Sequence, residues 1–230
     1  MKRVAILQSN YIPWKGYFDL ISYVDEFIIY DDMQYTRRDW RNRNQIKTPN
    51  GVQWLTIPVQ SKGNFLSPIS EIEIGEGDWA QMHWRSLAAN YARAPHFDAV
   101  AEWLEPLYRS ELPSRLSQVN EVFLRKIMTC LDIGTRITRS SDYEMIEGKT
   151  ERLVALCEQA GATEYVSGPS ARDYIVEELF AARNIKLSWF DYAGYPEYRQ
   201  LWGDFTHGVT IIDLLFNCGK DAPQFMKHVS

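Results

Sequence analysis

Four clusters in this 230-residue chain have side chains whose type and spacing suit chemistry. The first follows an apolar run at the N-terminus: Gln8, Asn10, Tyr11, Trp14 and Lys15. The second is Asp31-Asp32 with Gln34 and Tyr35, again just after an apolar run. Adjacent carboxylates there could take a ribose hydroxyl, an amine or a metal, or could form a solvated turn. Two neighbouring Asp alone are no Mg²⁺ site, because that ion prefers separate carboxylates plus substrate phosphates. The third cluster is basic: Arg37, Arg38, Arg41, Arg43 and Lys47, interleaved with Trp40 and the amides Asn42, Asn44 and Gln45. Guanidinium forks grip phosphate oxygens in two-point geometry, and a flanking ring can stack on a base or sugar. Arg41, Arg43 and Lys47 are therefore the candidates for a diphosphate. Arg37 and Arg38 read as a solvated face. The fourth cluster, Ser167-Gly168-Pro169-Ser170, lies between a strand and a helix pattern. Ser167 and Ser170 there suit either an anion at a helix N-terminus or an ordinary cap.

A general base needs a pKa near working pH, which histidine alone supplies without large tuning. His83 opens a helical pattern among aromatics and is the leading candidate, with an Asp of the Asp31-Asp32 pair as the substitute. Its other reading is a buried helix histidine bonded to a carbonyl. His207, beside Asp204 and Thr206, is an outside candidate; His96 reads as structural and His228 lies next to the end. Four scattered His and three scattered Cys offer no metal-ligand spacing. There is no phosphate-binding glycine loop and no nucleophile elbow.

These groups need elements to hold them. Val4 to Leu7 reads as a buried strand, Tyr17 to Val24 as a helix, and Glu26 to Tyr30 as a second strand. That is the length of a βαβ unit, whose strands run parallel. Groups just beyond both strands then share one edge of the sheet, where open α/β sheets bind ligands. Gln8, Asn10 and Tyr11 are thus expected beside Asp31, Asp32 and Gln34. Asn50-Gly51 signals a turn before an alternating Gln53 to Val59, a hairpin-like excursion. Ser70 to Ile74 alternates again. Helical periods follow at 80–92, 97–108 and 113–131. Strand and helix then alternate: strand 135–138, helix 150–159, strand 164–168, helix 170–183, strand 185–190, and a helical tail bearing Ile211, Leu214, Leu215 and Phe216. The expected fold is α/β, a Rossmann-like, mostly parallel sheet with a β-hairpin excursion and a helical insert. Residues 1–77 and 134–230 make the α/β core, and residues 78–133 the helical insert or subdomain.

Composition narrows the function. At 45% hydrophobic and 24% charged residues the chain is no disordered segment. A net charge of −5 argues against a nucleic-acid binder. Eight Trp and thirteen Tyr exceed what a core usually needs and point to a surface or cleft that stacks on a partner. Cys130 and Cys157 fall in apolar helical patterns, and Cys218 at a helix end. The N-terminal apolar run is too short for a signal peptide, and no apolar run approaches the roughly 20 residues of a membrane span. A reducing cytoplasmic location is expected.

Several separated motifs then carry a family resemblance. Leu7-Gln8-Ser9-Asn10-Tyr11-Ile12-Pro13-Trp14-Lys15-Gly16-Tyr17-Phe18 resembles the opening of the WbqC-like family. Tyr30 to Tyr35, Trp40-Arg41-Asn42-Arg43-Asn44, Val166 to Ala171 and Ile212 to Asn217 resemble its later blocks. The resemblance implies a place among bacterial O-antigen and lipopolysaccharide genes, often beside nucleotide-sugar enzymes. The order of elements around the first helix also resembles the nucleotidylyltransferases. Where those carry a histidine pair, this chain has Pro13-Trp14-Lys15-Gly16, which would leave phosphate handling to Lys15 or the arginines.

The expected function is modification of a nucleotide-linked amino sugar by N-acyl transfer. Arg41, Arg43 and Lys47 would hold the diphosphate, and Tyr11, Trp14 or Trp40 would stack. Gln8 and Asn44 would orient hydroxyls, and His83 or an Asp would take the proton. The donor would be acyl-CoA or an acyl carrier protein thioester, and a homodimer is a natural assembly. Adenylate-forming or nucleotidyl-transfer chemistry with ATP and Mg²⁺ is one alternative. A non-catalytic binding or assembly protein for a glycosyltransferase is the other.

Overall fold

Short apolar runs build a parallel sheet. In the computed structural model, which describes residues 1–60 and 66–229, five strands form it: β1 (Arg3–Leu7), β2 (Glu26–Ile29), β5 (Arg136–Arg139), β6 (Glu164–Ser167) and β7 (Lys186–Trp189). They lie in the order β5-β2-β1-β6-β7, and every pairing is parallel. Counted within the sheet alone this is 3-2-1-4-5, the Rossmann order. The chain steps outward from β1 to β5, returns past β1 to β6, and steps the other way. The direction of winding therefore reverses between β1 and β6.

Alternation along β1, β2 and β6 feeds two cores. Ala5, Phe27, Ile29 and Val166 face one side, whereas Val4, Ile6, Ile28 and Tyr165 face the other. Burial on both faces is why β1 and β2 read as unbroken apolar runs. The first core holds α1 (Lys15–Tyr23) and α7 (Ile211–Cys218), together with α2 (Trp79–Tyr91), α3 (Phe97–Arg109) and α4 (Leu116–Cys130). The second is closed by α5 (Thr150–Gln159) and by Phe180 of the short α6 (Glu177–Ala181). Outside the sheet stands a hairpin of β3 (Arg43–Thr48) and β4 (Gly51–Thr56), turning at Asn50-Gly51, where Gly51 takes φ +100. Its Ile46 and Leu55 anchor it in the first core.

Two segments depart from the expected pattern. Residues 170–183 do not form one helix: a 3-10 turn at Pro169–Asp173 precedes α6. The Thr150 hydroxyl donates to Tyr174 O (3.3 Å) and accepts from Val176 N (3.2 Å), taking backbone groups that a continuous helix would use. Ser70 to Ile74 is no strand either. It is a 3-10 turn at Ile69–Glu71 followed by two isolated antiparallel bridges, Glu73 to Arg115 and Ile74 to Val59.

Candidate functional site

In an open parallel sheet the crevice lies beyond the strand C-termini, where winding reverses. Here that is the end of β1. The segment after it is held from three directions. Tyr11 N donates to Trp40 O (3.1 Å) and Ile211 N to Pro13 O (2.9 Å). Ile12 between them has φ +36, a left-handed backbone rare for a β-branched residue. Such strain costs on the order of 1–3 kcal/mol and persists only where surroundings over-determine it. They do so here: Ile12 O accepts from Asn44 Nδ2 (3.0 Å) and Thr210 Oγ1 (2.6 Å). The β1 loop, the hairpin base and the start of α7 are thereby locked together.

Between these elements lies a cavity of about 300 Å³, lined by Asn10, Pro13, Trp14, Trp40, Asn44, His207 and Gly208. Two indoles supply apolar wall, the Asn10 amide supplies a polar point, Asn44 spends its amide on Tyr11 O, Ile12 O and Gln45 N, and one imidazole is present. Arg41 reaches it indirectly, donating to Asn10 Oδ1. Behind Arg41 is a buried network. Asp31 accepts from Ser9 N (2.8 Å) and from the Ser117 hydroxyl. Asn120 Nδ2 donates to Ser9 Oγ and Arg41 O, both at 2.9 Å. Burial raises the Asp31 pKa above the ordinary carboxylate value. Asp32 turns away and accepts from the Ser140 hydroxyl beside β5, so the two adjacent carboxylates serve different networks.

The two histidines differ in surroundings. His83 is 6% exposed. Its Nε2–H donates to Thr56 O (3.2 Å), and its Nδ1 accepts from the Tyr11 hydroxyl (2.9 Å), which in turn accepts from Tyr108 OH (2.5 Å). Burial lowers its pKa to about 4. It is a neutral core group away from the cavity lining. His207 is exposed and lines the cavity. Its pKa is also lowered, by partial burial and then by the Lys15 ammonium, so its imidazole is a neutral acceptor at neutral pH.

His207 rides on residues 190–210, a long connection without helix or strand between β7 and α7. The connection is pinned from below. Lys15 Nζ donates to Pro196 O (2.8 Å) within a box of Tyr195, Tyr198 and Phe205 rings, 5.2–5.8 Å from their centroids. Burial lowers its pKa to about 8. Lys47 Nζ donates to Asp204 O and Thr206 Oγ1. Trp202 Nε1 donates to Asn90 O (2.8 Å), and Gln200 exchanges two hydrogen bonds with Thr206 (2.8 and 2.9 Å). Buried Asp213 accepts from Tyr91, Tyr198 and Gln200 underneath.

Of the residues expected from sequence, Asn10, Trp14, Trp40 and Asn44 line the cavity, and Arg41 is tied to its wall. Others lie elsewhere. The Tyr11 ring is fully buried, edge-on to Trp79 and Phe123, and cannot stack on a ligand. Lys15 and Lys47 are buried struts of the 190–210 connection. Arg43 lies over Trp54 on the hairpin, 4.0 Å from its centroid. Gln8 is partly buried, its carbonyl accepting from Tyr17 OH (2.9 Å). Gln34 and Tyr35 run toward Ser67 and Pro68. Ser167 is buried at the end of β6 and Ser170 is exposed beyond it; neither lines the cavity. Among the described residues, no three His, Cys, Asp or Glu side chains converge as a metal site, and no helix is long and apolar enough to cross a membrane.

Strand order and cavity position together define a Rossmann-like α/β protein with a formed hollow at the switch point. The chain belongs to the WbqC-like protein family, whose model matches residues 8–225 and so spans every residue lining the cavity. It is 58% identical over 228 residues to "Uncharacterized protein Rv1507c" of Mycobacterium tuberculosis, covering 99% of each chain. No solved structure matches it.

Proposed function

We propose that the chain binds a nucleotide-linked amino sugar and transfers an acyl group from a thioester to the sugar nitrogen, as a cytoplasmic step in bacterial surface-polysaccharide synthesis. One observation carries the reading: a cavity that combines two indoles, the Asn10 amide and a neutral imidazole, with a guanidinium tied to its wall. Apolar walls with few polar points suit a sugar ring, whose faces are apolar and whose rim is polar. Asn10 addresses hydroxyls and Arg41 the nearer phosphate, while Asn44, its amide committed to Tyr11 O, Ile12 O and Gln45 N, holds the wall in place. His207 replaces His83 as the base, because His83 is enclosed in the core.

In this mechanism the neutral sugar amine attacks the thioester carbonyl carbon. The C–N bond forms, the C–S bond breaks, and the amine proton passes to the His207 imidazole. The thiolate leaves and is then protonated. An amine needs no covalent enzyme intermediate, and the cysteines are poor nucleophiles: burial raises the Cys218 thiol to about 11 and the thiols of Cys130 and Cys157 as well.

The test is thiol release from acyl-CoA or an acyl carrier protein thioester across a panel of UDP-, GDP- and dTDP-amino sugars, with ATP and Mg²⁺ in parallel wells. Acylated sugar with free thiol is the expected product. His207→Ala should lower turnover at least about 100-fold, the usual scale of a positioned base. Pyrophosphate release that requires ATP would instead favour nucleotidyl or adenylate chemistry. Ligand recovered unchanged with every donor would favour a binding protein.

A further inference from the structure

The hairpin carries aromatic surface that the hydrophobic core does not use. Leu55 is the one buried side chain of β4, and Trp54 beside it is 38% exposed. Trp40 lines the cavity yet is 42% exposed. The two rings lie 5.3 Å apart, tilted by 44°. On Trp54 rests the Arg43 guanidinium, held by a hydrogen bond from Nη2 to Arg38 O. The result is a ladder of indole, indole and guanidinium running outward from the cavity wall. Around it, residues 37–43 carry four arginines against one aspartate, in a chain whose net charge is −5.

We infer that the Trp40–Trp54–Arg43 ladder is a base-stacking subsite for the nucleotide half of the ligand, continuous with the cavity through Trp40. This rests on the reading above, in which the cavity takes the sugar half. Three features select a nucleoside diphosphate as occupant. The surface is a tilted pair of indoles capped by a guanidinium plane, on which a base can stack. Its local charge is positive, as phosphates require. It shares a ring with the cavity, so sugar and base fall on opposite sides of Trp40, with Arg41 beside the diphosphate and Arg43 at the outer end of the ladder. Stacking tolerates any base because every base has a π-face. Discrimination among uracil, thymine and guanine should therefore be weak, with selectivity lying in the sugar cavity.

The experiment is titration calorimetry of wild type, Trp54→Ala and Trp54→Phe with three probes: a UDP-linked amino sugar, UDP alone, and the amino sugar 1-phosphate. Melting curves check that the variants are folded. Trp54→Ala should weaken UDP-sugar and UDP about tenfold and leave the sugar 1-phosphate unchanged. Trp54→Phe should restore most of the loss. If UDP-sugar affinity is the same in Trp54→Ala, or the sugar 1-phosphate weakens equally, the subsite is wrong. Wild type that binds sugar 1-phosphate but not UDP overturns the subsite and leaves the cavity reading standing. UDP binding that depends on Trp54, without sugar 1-phosphate binding, does the reverse. Unchanged affinities with slower turnover from a carrier-protein thioester would assign the ladder to protein docking and overturn the subsite.

Discussion

Lowering the pH tests whether His83 is a strut or a base. Its folded pKa of about 4 lies below the ordinary 6.5. Between these values the unfolded chain binds the proton and the folded chain does not, so stability is present above pH 6.5 and is lost as pH falls toward 4. Fully expressed, a shift of this size is worth about 3 kcal/mol; between pH 7 and pH 5 alone it removes about 2 kcal/mol. That is a sizeable part of the roughly 5–15 kcal/mol that holds a domain together. The comparison is urea unfolding of wild type and His83→Gln at pH 7 and pH 5. Glutamine keeps a donor for Thr56 O and an acceptor for the Tyr11 hydroxyl, but does not titrate. Asp31 and Asp213, raised by burial, act with the opposite sign in both proteins and cancel in the difference. Wild type should lose about 2 kcal/mol more than the variant over this interval. Equal losses would refute the buried, neutral assignment. The same variant should retain acyl transfer.

The Lys15 ammonium helps hold the His207 pKa down, so Lys15→Met should raise it, which an NMR titration of the imidazole reads. The acid limb of activity, which falls as His207 is protonated, should move to higher pH with it. Thr210→Val removes both the Ile12 O hydrogen bond and the side-chain cap on Ile212 N. A loss of about 1–3 kcal/mol, or roughly 3–10 °C in melting temperature, is expected. Lys47→Met should speed amide hydrogen exchange across residues 196–208 while leaving β1 and β2 protected; unchanged exchange there would return Lys47 to the role of a phosphate ligand.

The centre of the sheet was legible because β1 and β2, buried on both faces, leave unbroken apolar runs, and their short spacing across α1 forces one shared edge. Ser9 N within 2.8 Å of Asp31 Oδ1 is the direct trace of that geometry. Individual side chains were harder to assign. Tyr11 and Trp14 are both aromatics in one loop, yet the left-handed turn at Ile12 sends the first into the core and leaves the second at the cavity. Asn44 and Arg43 diverge for a simpler reason, the two-residue period of β3, which points neighbours to opposite faces. Lys47 looked like a free cation because its partners, Asp204 and Thr206, lie some 157 residues away. The 190–210 connection has no period to announce itself, so its return over the hairpin, and with it the placement of His207, came from long-range contacts alone. The exposed Trp54 was visible only as a strand residue; its pairing with Arg43 needed the hairpin register.

The most direct measurement follows the indole N–H resonances of the eight tryptophans during titration with a nucleotide-linked amino sugar, assigned by single Trp→Phe variants. Trp14 and Trp40 should shift in step with binding, while Trp79 and Trp84, buried on α2, stay in place. Saturable binding that leaves both Trp14 and Trp40 unmoved would contradict a ligand site at the β1 switch point.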